Sequence, residues 1–349
     1  MSGPSPYCLA QMQPLLRDVS RSFYLSIRLL PPALRRPIGV AYLLARASDT
    51  IADSTALAAP LRHQQLGTLA AAVEGQAVGT AALAQLAAVA GAATPDPRER
   101  RLLHELPRCL DWLRALTPAD LVDTRIVLGH ITRGQALDIA RFEGPEALHA
   151  LPGAAELDEY TFLVAGCVGE FWTDLCARHV PDFASLPVER MRVLGREYGM
   201  GLQLLNILRD AGADLAAGRC YLPADELAGA GLLPLDLLRV PAQLEPVWSR
   251  WHALACLRME QGMHYALAVN NPRIRAATAL PALIGARTLA LLHEAGSRSL
   301  VQPVKAPRRE VRAVLARLAF TLAARAPLAR QFARLKVPGR DGQWDNPAP

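Results

Sequence analysis

The clearest alternation of apolar and polar positions in this chain runs from Ala33 to Ser54. There, RRPIGVAYLLARASDTIAD reads as an amphipathic helix. A short helix over Cys8–Arg17 precedes it, then a helix starting near Ser20, whose hydroxyl is placed to cap. Pro31 and Pro32 end that element. Residues 56–93 are Ala-rich and weakly periodic, which predicts one or two surface helices. Helices are predicted over Arg98–Leu116 and Pro118–Phe142, the second capped by Thr117 with Pro118 at its first position. A loop over Gly144–Gly153 leads to helices over Glu156–Val180 and Pro187–Leu215. The chain turns at Gly218–Pro223, and further helices follow at about 242–270, 273–297 and 308–334. No repeat of fixed period occurs.

Composition agrees with an all-α reading. Of 349 residues, 51% are hydrophobic, Ala, Leu and Arg dominate, and β-branched runs are scarce. The expected organisation is one domain over residues 1–337 and a polar, disordered tail over 338–349. The net charge of +6 (38 basic against 32 acidic residues) suits phosphates or acidic headgroups. Nucleic acid is excluded, since no dense basic run with interleaved aromatics occurs. Six scattered cysteines without a CxxC fit a reducing cytosol. The N-terminus has no secretory pattern, and the longest apolar run, Ala276–Leu292, is interrupted by Pro281 and Arg287. The expected location is cytoplasmic, with peripheral contact on the inner membrane surface and no obligate protein partner.

Two acidic rows bring in chemistry. In MGLQLLNILRDAGADLAAGRCYLP, residues 200–223, Gln203, Asn206, Asp210 and Asp214 share an arc of about 80° on a helix. Gly199 lies in the same arc and is expected to leave room for a bulky ligand. On the Ala33–Ser54 helix, Tyr42, Arg46, Asp49 and Asp53 share about 60°. A lone DxxxD is most often a solvated face; two of them, each flanked by apolar residues, are harder to explain that way. Sparse rows of carboxylates suit Mg²⁺, which takes a few protein oxygens and completes its shell with substrate phosphate. The phosphate-cradling patterns GxxxxGK[ST] and GxGxxG are absent.

ASDTIAD, MGLQLLNILRDAGAD and GRCYLP resemble the aspartate-rich regions of the squalene and phytoene synthase family, the head-to-head prenyl-diphosphate synthases. The likeness extends to Ser20-Arg21-Ser22-Phe23, to Tyr160 with Val164-Ala165-Gly166-Cys167-Val168-Gly169, to Ala279–Leu289, and to Val304-Lys305-Ala306-Pro307-Arg308-Arg309. It runs from about Ser20 to Val311.

The resemblance implies an all-α isoprenoid-synthase bundle with a central apolar cavity and two facing Asp-rich helices. It implies a squalene synthase: Mg²⁺-dependent condensation of two farnesyl diphosphates through presqualene diphosphate, then reduction by NADPH. Metal would fall to Asp49, Asp53, Asn206, Asp210 and Asp214. Substrate would meet Ser20, Arg21, Phe23, Tyr42, Arg46, Gln203, Asn206, Arg209 and Arg219. Tyr160 matches the tyrosine that handles the cyclopropane-forming proton, and Lys305, Arg308 and Arg309 match a loop that binds the NADPH phosphate. Gln135 stands where many relatives have Met in a GMxxD pattern, within Gly134–Asp138. The alternatives are a synthase of phytoene, dehydrosqualene or presqualene diphosphate, and a catalytically silent membrane assembly factor. The second would lose its acidic rows, which are complete here.

Overall fold

Prolines mark where many of the helices begin. The computed structural model describes residues 7–20, 23–143, 148–321 and 324–336. Its first half runs α1 (Tyr7–Ser20), α2 (Phe23–Leu29), α3 (Pro32–Ala52), α4 (Ala59–Glu74), α5 (Thr80–Ala93), α6 (Pro97–His104), α7 (Leu106–Arg114) and α8 (Pro118–Arg141). The second half runs α9 (Ala154–Thr161), a π-helical turn (Phe162–Gly166), α10 (Cys167–His179), α11 (Val188–Ala216) and α12 (Ala224–Gly229). It closes with α13 (Glu245–Ala268), α14 (Pro272–Ala295), α15 (Arg308–Thr321) and α16 (Arg325–Leu335). Proline in the first turn of α3, α6, α8 and α14 costs nothing, because that N–H has no helical partner.

Several boundaries differ from the sequence reading. The helix expected over 98–116 breaks at Glu105, because Pro107 cannot donate to the carbonyl of Leu103. Residues 59–93 form two helices, divided where Gly75 takes φ 92° to close α4. Ser20 does not cap α2: it is buried at the end of α1 and its hydroxyl donates back to the carbonyl of Leu16. The stretch 156–180 is interrupted by the π turn, and the stretch from 308 is divided into α15 and α16. The Gly144–Gly153 loop contains β1 (His149–Ala150), paired in parallel with β2 (Arg219–Cys220). The tail 338–349 lies outside the described residues.

Two apolar clusters divide the bundle. One joins α1–α8 with α10; the other gathers around α11, α13, α14 and α16. Between them α11 meets the π turn and α10 at backbone contact. A Cβ on Gly195 would stand 2.6 Å from the Gly169 carbonyl oxygen, and one on Gly199 would stand 2.1 Å from that of Ala165. Gly199 therefore makes room for a neighbouring helix rather than for a ligand. Cys109, Cys167, Cys176, Cys220 and Cys256 are free thiols. The segment Pro272–Leu300 is long and apolar enough to cross a membrane, contrary to the sequence reading, yet 72% of its apolar window is buried inside the protein.

Candidate active site

The first acidic row sits on α3. Asp49 and Asp53 are one turn apart, so each raises the cost of ionising the other. Burial, then the charge of Asp53, push the Asp49 carboxyl up to about 6 against the pull of Arg46. Burial also raises Asp53. Both lie at a rim that solvent reaches: Asp49 leaves 42% of its side chain open. Arg46 Nη1 donates to Asp49 Oδ2 at 2.5 Å, and Nη2 donates to Glu99 of α6. Thr50 Oγ1 donates to the Arg46 carbonyl at 2.9 Å and reaches Glu99 at 3.3 Å. The Tyr42 hydroxyl donates to the Val19 carbonyl at 3.3 Å.

The second row sits on α11. Arg209 Nε donates to Asp210 of the same helix at 2.9 Å. At its end, Gly218 takes φ 80° and turns the chain into β2. This turn returns Arg219 to the helix it has left, where Nη2 donates to Asp214 at 3.0 Å. Burial raises Asp214 to about 6. Arg219 also approaches Asp138 of α8 at 3.8 Å and is the strongest charge holding Asp53 down. One guanidinium thus pairs with α8 and α11, and its charge also acts on Asp53 of α3.

Asp138 completes the rim. Its side chain is 16% exposed and burial lifts it to about 6. The Tyr221 hydroxyl donates to it at 2.7 Å. Tyr221 stacks on Tyr160 at 5.2 Å and 25°, with Phe142 against its edge at 4.9 Å. Burial holds the Tyr160 hydroxyl well above its ordinary pKa, so it stays protonated.

Below the rim lies a cavity of about 320 Å³. Ile38, Ala41, Val127, Ile131, Val164, Val168 and Phe171 form its apolar wall. Tyr42, Arg46, Asp49, Tyr160 and Gln203 bring the chemistry-bearing groups to it, with Gln135 and Trp172. This is a largely apolar compartment under a charged lip.

The structure gathers most of the residues expected from sequence. Asp53, Asp210, Asp214, Arg209 and Arg219 stand at the rim, and Asn206 lies half-buried on α11 between Gln203 and Asp210. Ser20 stays in the core of α1, while Arg21 and the Phe23 side chain lie outside the described residues. Lys305, Arg308 and Arg309 are exposed. Their segment leaves from Leu300, whose carbonyl oxygen would stand 2.0 Å from a Cβ on Gly212, between the two aspartates of the second row. Sequence reasoning missed Asp138, Tyr221 and Glu99. Asp138 was inside a quoted motif and one helical turn from Gln135. Glu99 gave no signal, because its partner is 53 residues away.

The donor set fits a hard cation and a diphosphate. Among the described residues no three His, Cys, Asp or Glu side chains converge as a ready cage. Mg²⁺ does not need one, since substrate oxygens supply much of its shell. Arg46 and Arg219 each leave about a third of the side chain open at the rim, where a guanidinium can meet an anion.

TcSQS in complex with a ligand superposes with a TM-score of 0.72 at 19% identity, over 94% of this chain and 97% of that one. A ligand complex of a dehydrosqualene synthase gives 0.58 at 19% identity, over 91% and 97%. The architecture is the helical isoprenoid-synthase fold. The squalene/phytoene synthase family model matches residues 16–315, and the chain belongs to that family. The squalene synthase of Saccharomyces cerevisiae is 29% identical over 230 residues, 63% of this chain and 46% of that protein. The 15-cis-phytoene synthase of Synechocystis is 28% identical over 256 residues, 70% and 63%. The presqualene diphosphate synthase of Zymomonas mobilis is 29% identical over 313 residues, 87% and 88%. The matched spans therefore cover less than two thirds of the yeast and Synechocystis proteins. Enzymes of this family condense prenyl diphosphates with a divalent metal and release diphosphate.

Proposed function

We propose that the protein is a squalene synthase that joins two farnesyl diphosphates head to head through presqualene diphosphate and reduces the product with NADPH. The observation that carries this reading is the lip itself: two carboxylate rows and Asp138, linked by Arg46 and Arg219, over an apolar cavity that Tyr160 lines. Asp49, Asp53, Asp210, Asp214 and Asn206 would hold Mg²⁺. When bound, the cation supplies charge neutralisation on the diphosphate leaving group. Arg46 and Arg219 orient the diphosphate through the part of each guanidinium left open at the rim. Arg209 stands beside them on Asp210. The apolar wall keeps water from the allylic cation, and the Tyr42 and Tyr160 faces stabilise it. The hydroxyl of Tyr160 receives the proton lost as the cyclopropane closes and relays its own toward Tyr221 and Asp138. Lys305, Arg308 and Arg309 would hold the phosphate of NADPH, which supplies the hydride. We place the protein in the cytoplasm, in contact with the membrane that takes its lipid product.

A second reading, release of presqualene diphosphate as the final product, is favoured by the match to the Zymomonas protein along most of both chains. Incubation with farnesyl diphosphate and Mg²⁺, with and without NADPH, separates the two. Squalene appearing only with NADPH supports the first. Presqualene diphosphate in both arms supports the second. No diphosphate release in either arm rejects both.

A further inference from the structure

A single exposed leucine needs no explanation, but a cluster of them on a fixed backbone does. Between α12 and α13, Leu233, Leu235 and Leu238 are 68%, 53% and 54% exposed. Pro234–Arg239 is a 3₁₀ helix, in which residues three apart eclipse, so Leu235 and Leu238 stand on one side while Leu237 turns into the core. The surrounding protein imposes this shape. Leu232 and Leu237 are buried, and Asp236 accepts the Leu233 N–H at 2.8 Å. Val240 takes φ 50°, a setting that a β-branched residue adopts only under constraint. The segment lies beside the second acidic row: Leu237, Trp248 and Leu300 share a narrow crevice with Asp214 and Arg219. Val301, the residue after Leu300, is 61% exposed. Arg239 and Arg298, on the same two segments, are exposed. The carboxylates near them turn back on the protein, Asp236 as above and Glu245 by accepting the Ser297 N–H at 3.0 Å.

We propose that Leu233, Leu235, Leu238 and Val301 form a docking surface that seats the lip of the cavity on an anionic lipid bilayer. The proposal rests on the reading of this protein as a synthase that hands an apolar product to a membrane, and it names the surface that makes that contact. Leucine side chains entering the headgroup boundary leave water, while Arg239 and Arg298 meet lipid phosphate. A second copy of this chain fits the surface less well, because a two-fold interface would bring the same exposed arginines together. Docking on these two segments holds the second acidic row next to the phase that receives the product.

Co-sedimentation with vesicles of phosphatidylcholine and phosphatidylglycerol, and of phosphatidylcholine alone, tests the surface. Wild type should bind the anionic vesicles more tightly, and added salt should weaken that preference. The double variant Leu235→Ser, Leu238→Ser should bind about 10²-fold more weakly, about tenfold for each leucine withdrawn from lipid. The control is Val122→Ser, Ile126→Ser. These two residues are as exposed, at 54% and 56%, but lie on α8 about 18–24 Å of helix rise from Asp138. The control should bind like wild type. No binding of wild type to anionic vesicles at low salt, equal binding by wild type and the Leu235/Leu238 variant, or an equal loss in the control overturns the proposal. So does a wild-type dimer in gel filtration that the leucine variant splits while vesicle binding is unchanged, since the surface would then serve self-association. A second arm measures diphosphate release from detergent-dispersed farnesyl diphosphate, which the leucine variant should keep in full. A loss there would place the leucines in the site itself and also overturn the proposal. Failure of wild type to release diphosphate would sink the functional reading, while the vesicle arm would still decide the docking surface.

Discussion

The two acidic rows look alike in the sequence and are held in different ways. On α3, Arg46 serves both Asp49 and Glu99, so the acids outnumber the base beside them. On α11, Asp210 has Arg209 as its neighbour and Asp214 has Arg219. Asp53 draws also on the charges of Arg219 and Arg62, so it is Asp49, which shares Arg46 with Glu99 and is repelled by Asp53, that is left short of positive charge. The second row is close to balanced, with Asp138 drawing on the same Arg219. The lesson is that DxxxD alone does not say how strongly a row will seek a cation. The count of nearby guanidinium groups does.

The sharpest test sets one row against the other. Asp49→Asn should cut diphosphate release from farnesyl diphosphate by about 10³-fold, since it removes a carboxylate from the under-neutralised side. Asp210→Asn should cost about tenfold less, because the charge it removes was already matched by Arg209. Equal losses in steady-state assays would erase the distinction. Arg219→Gln comes next. It frees Asp53, Asp138 and Asp214 from their shared cation, and kcat should drop by about 10²-fold with a larger Mg²⁺ requirement. A variant that keeps full kcat would show that Arg219 has only a structural role. Gly199→Ala probes the scaffold of the second row alone: forcing α11 from the π turn should lower stability by about 2 kcal/mol in chemical denaturation.

The smallest effect is on pH dependence. Asp49, Asp138 and Asp214 are raised from 3.8 to about 6, so the folded protein holds their protons more tightly than the unfolded chain. That contribution is complete below about pH 4 and is lost as pH rises through about 6. Metal-free protein should therefore lose melting temperature across this window, and Asp138→Asn should flatten the slope. Mg²⁺ with inorganic diphosphate should restore the loss above pH 6. Melting curves with the same slope in wild type and variant would refute the assignment.

Much of this was legible because helix geometry is local. Spacing alone put Gln203, Asn206, Asp210 and Asp214 on one face, and Thr117 with Pro118 at the start of α8. What failed was long-range or depended on one bond. Pro107 split a helix that periodicity had run straight through. Gly199 looked like ligand space because periodicity gives a face, not the neighbour packed on it. Asp138 was passed over because the Tyr221 hydroxyl that anchors it is 83 residues away. The pairing of Arg46 with Glu99 was hidden for the same reason.

The π turn at Phe162–Gly166 works as a phase shifter in an otherwise continuous rod. It accommodates one more residue than an α-helix over the same length, so the angular setting before it is independent of the setting after it. Tyr160 stands upstream, and Val168, Phe171 and Trp172 stand downstream, yet all line one chamber. Deleting a single residue within the turn would leave a regular α-helix with Tyr160 still in phase with the downstream wall, whereas straightening the turn with every residue kept would swing Tyr160 by about 100° relative to that wall. The composition of the chamber would be unchanged and its tyrosine would face elsewhere. At this position the winding of the turn governs the chemistry as firmly as the identity of its residues does.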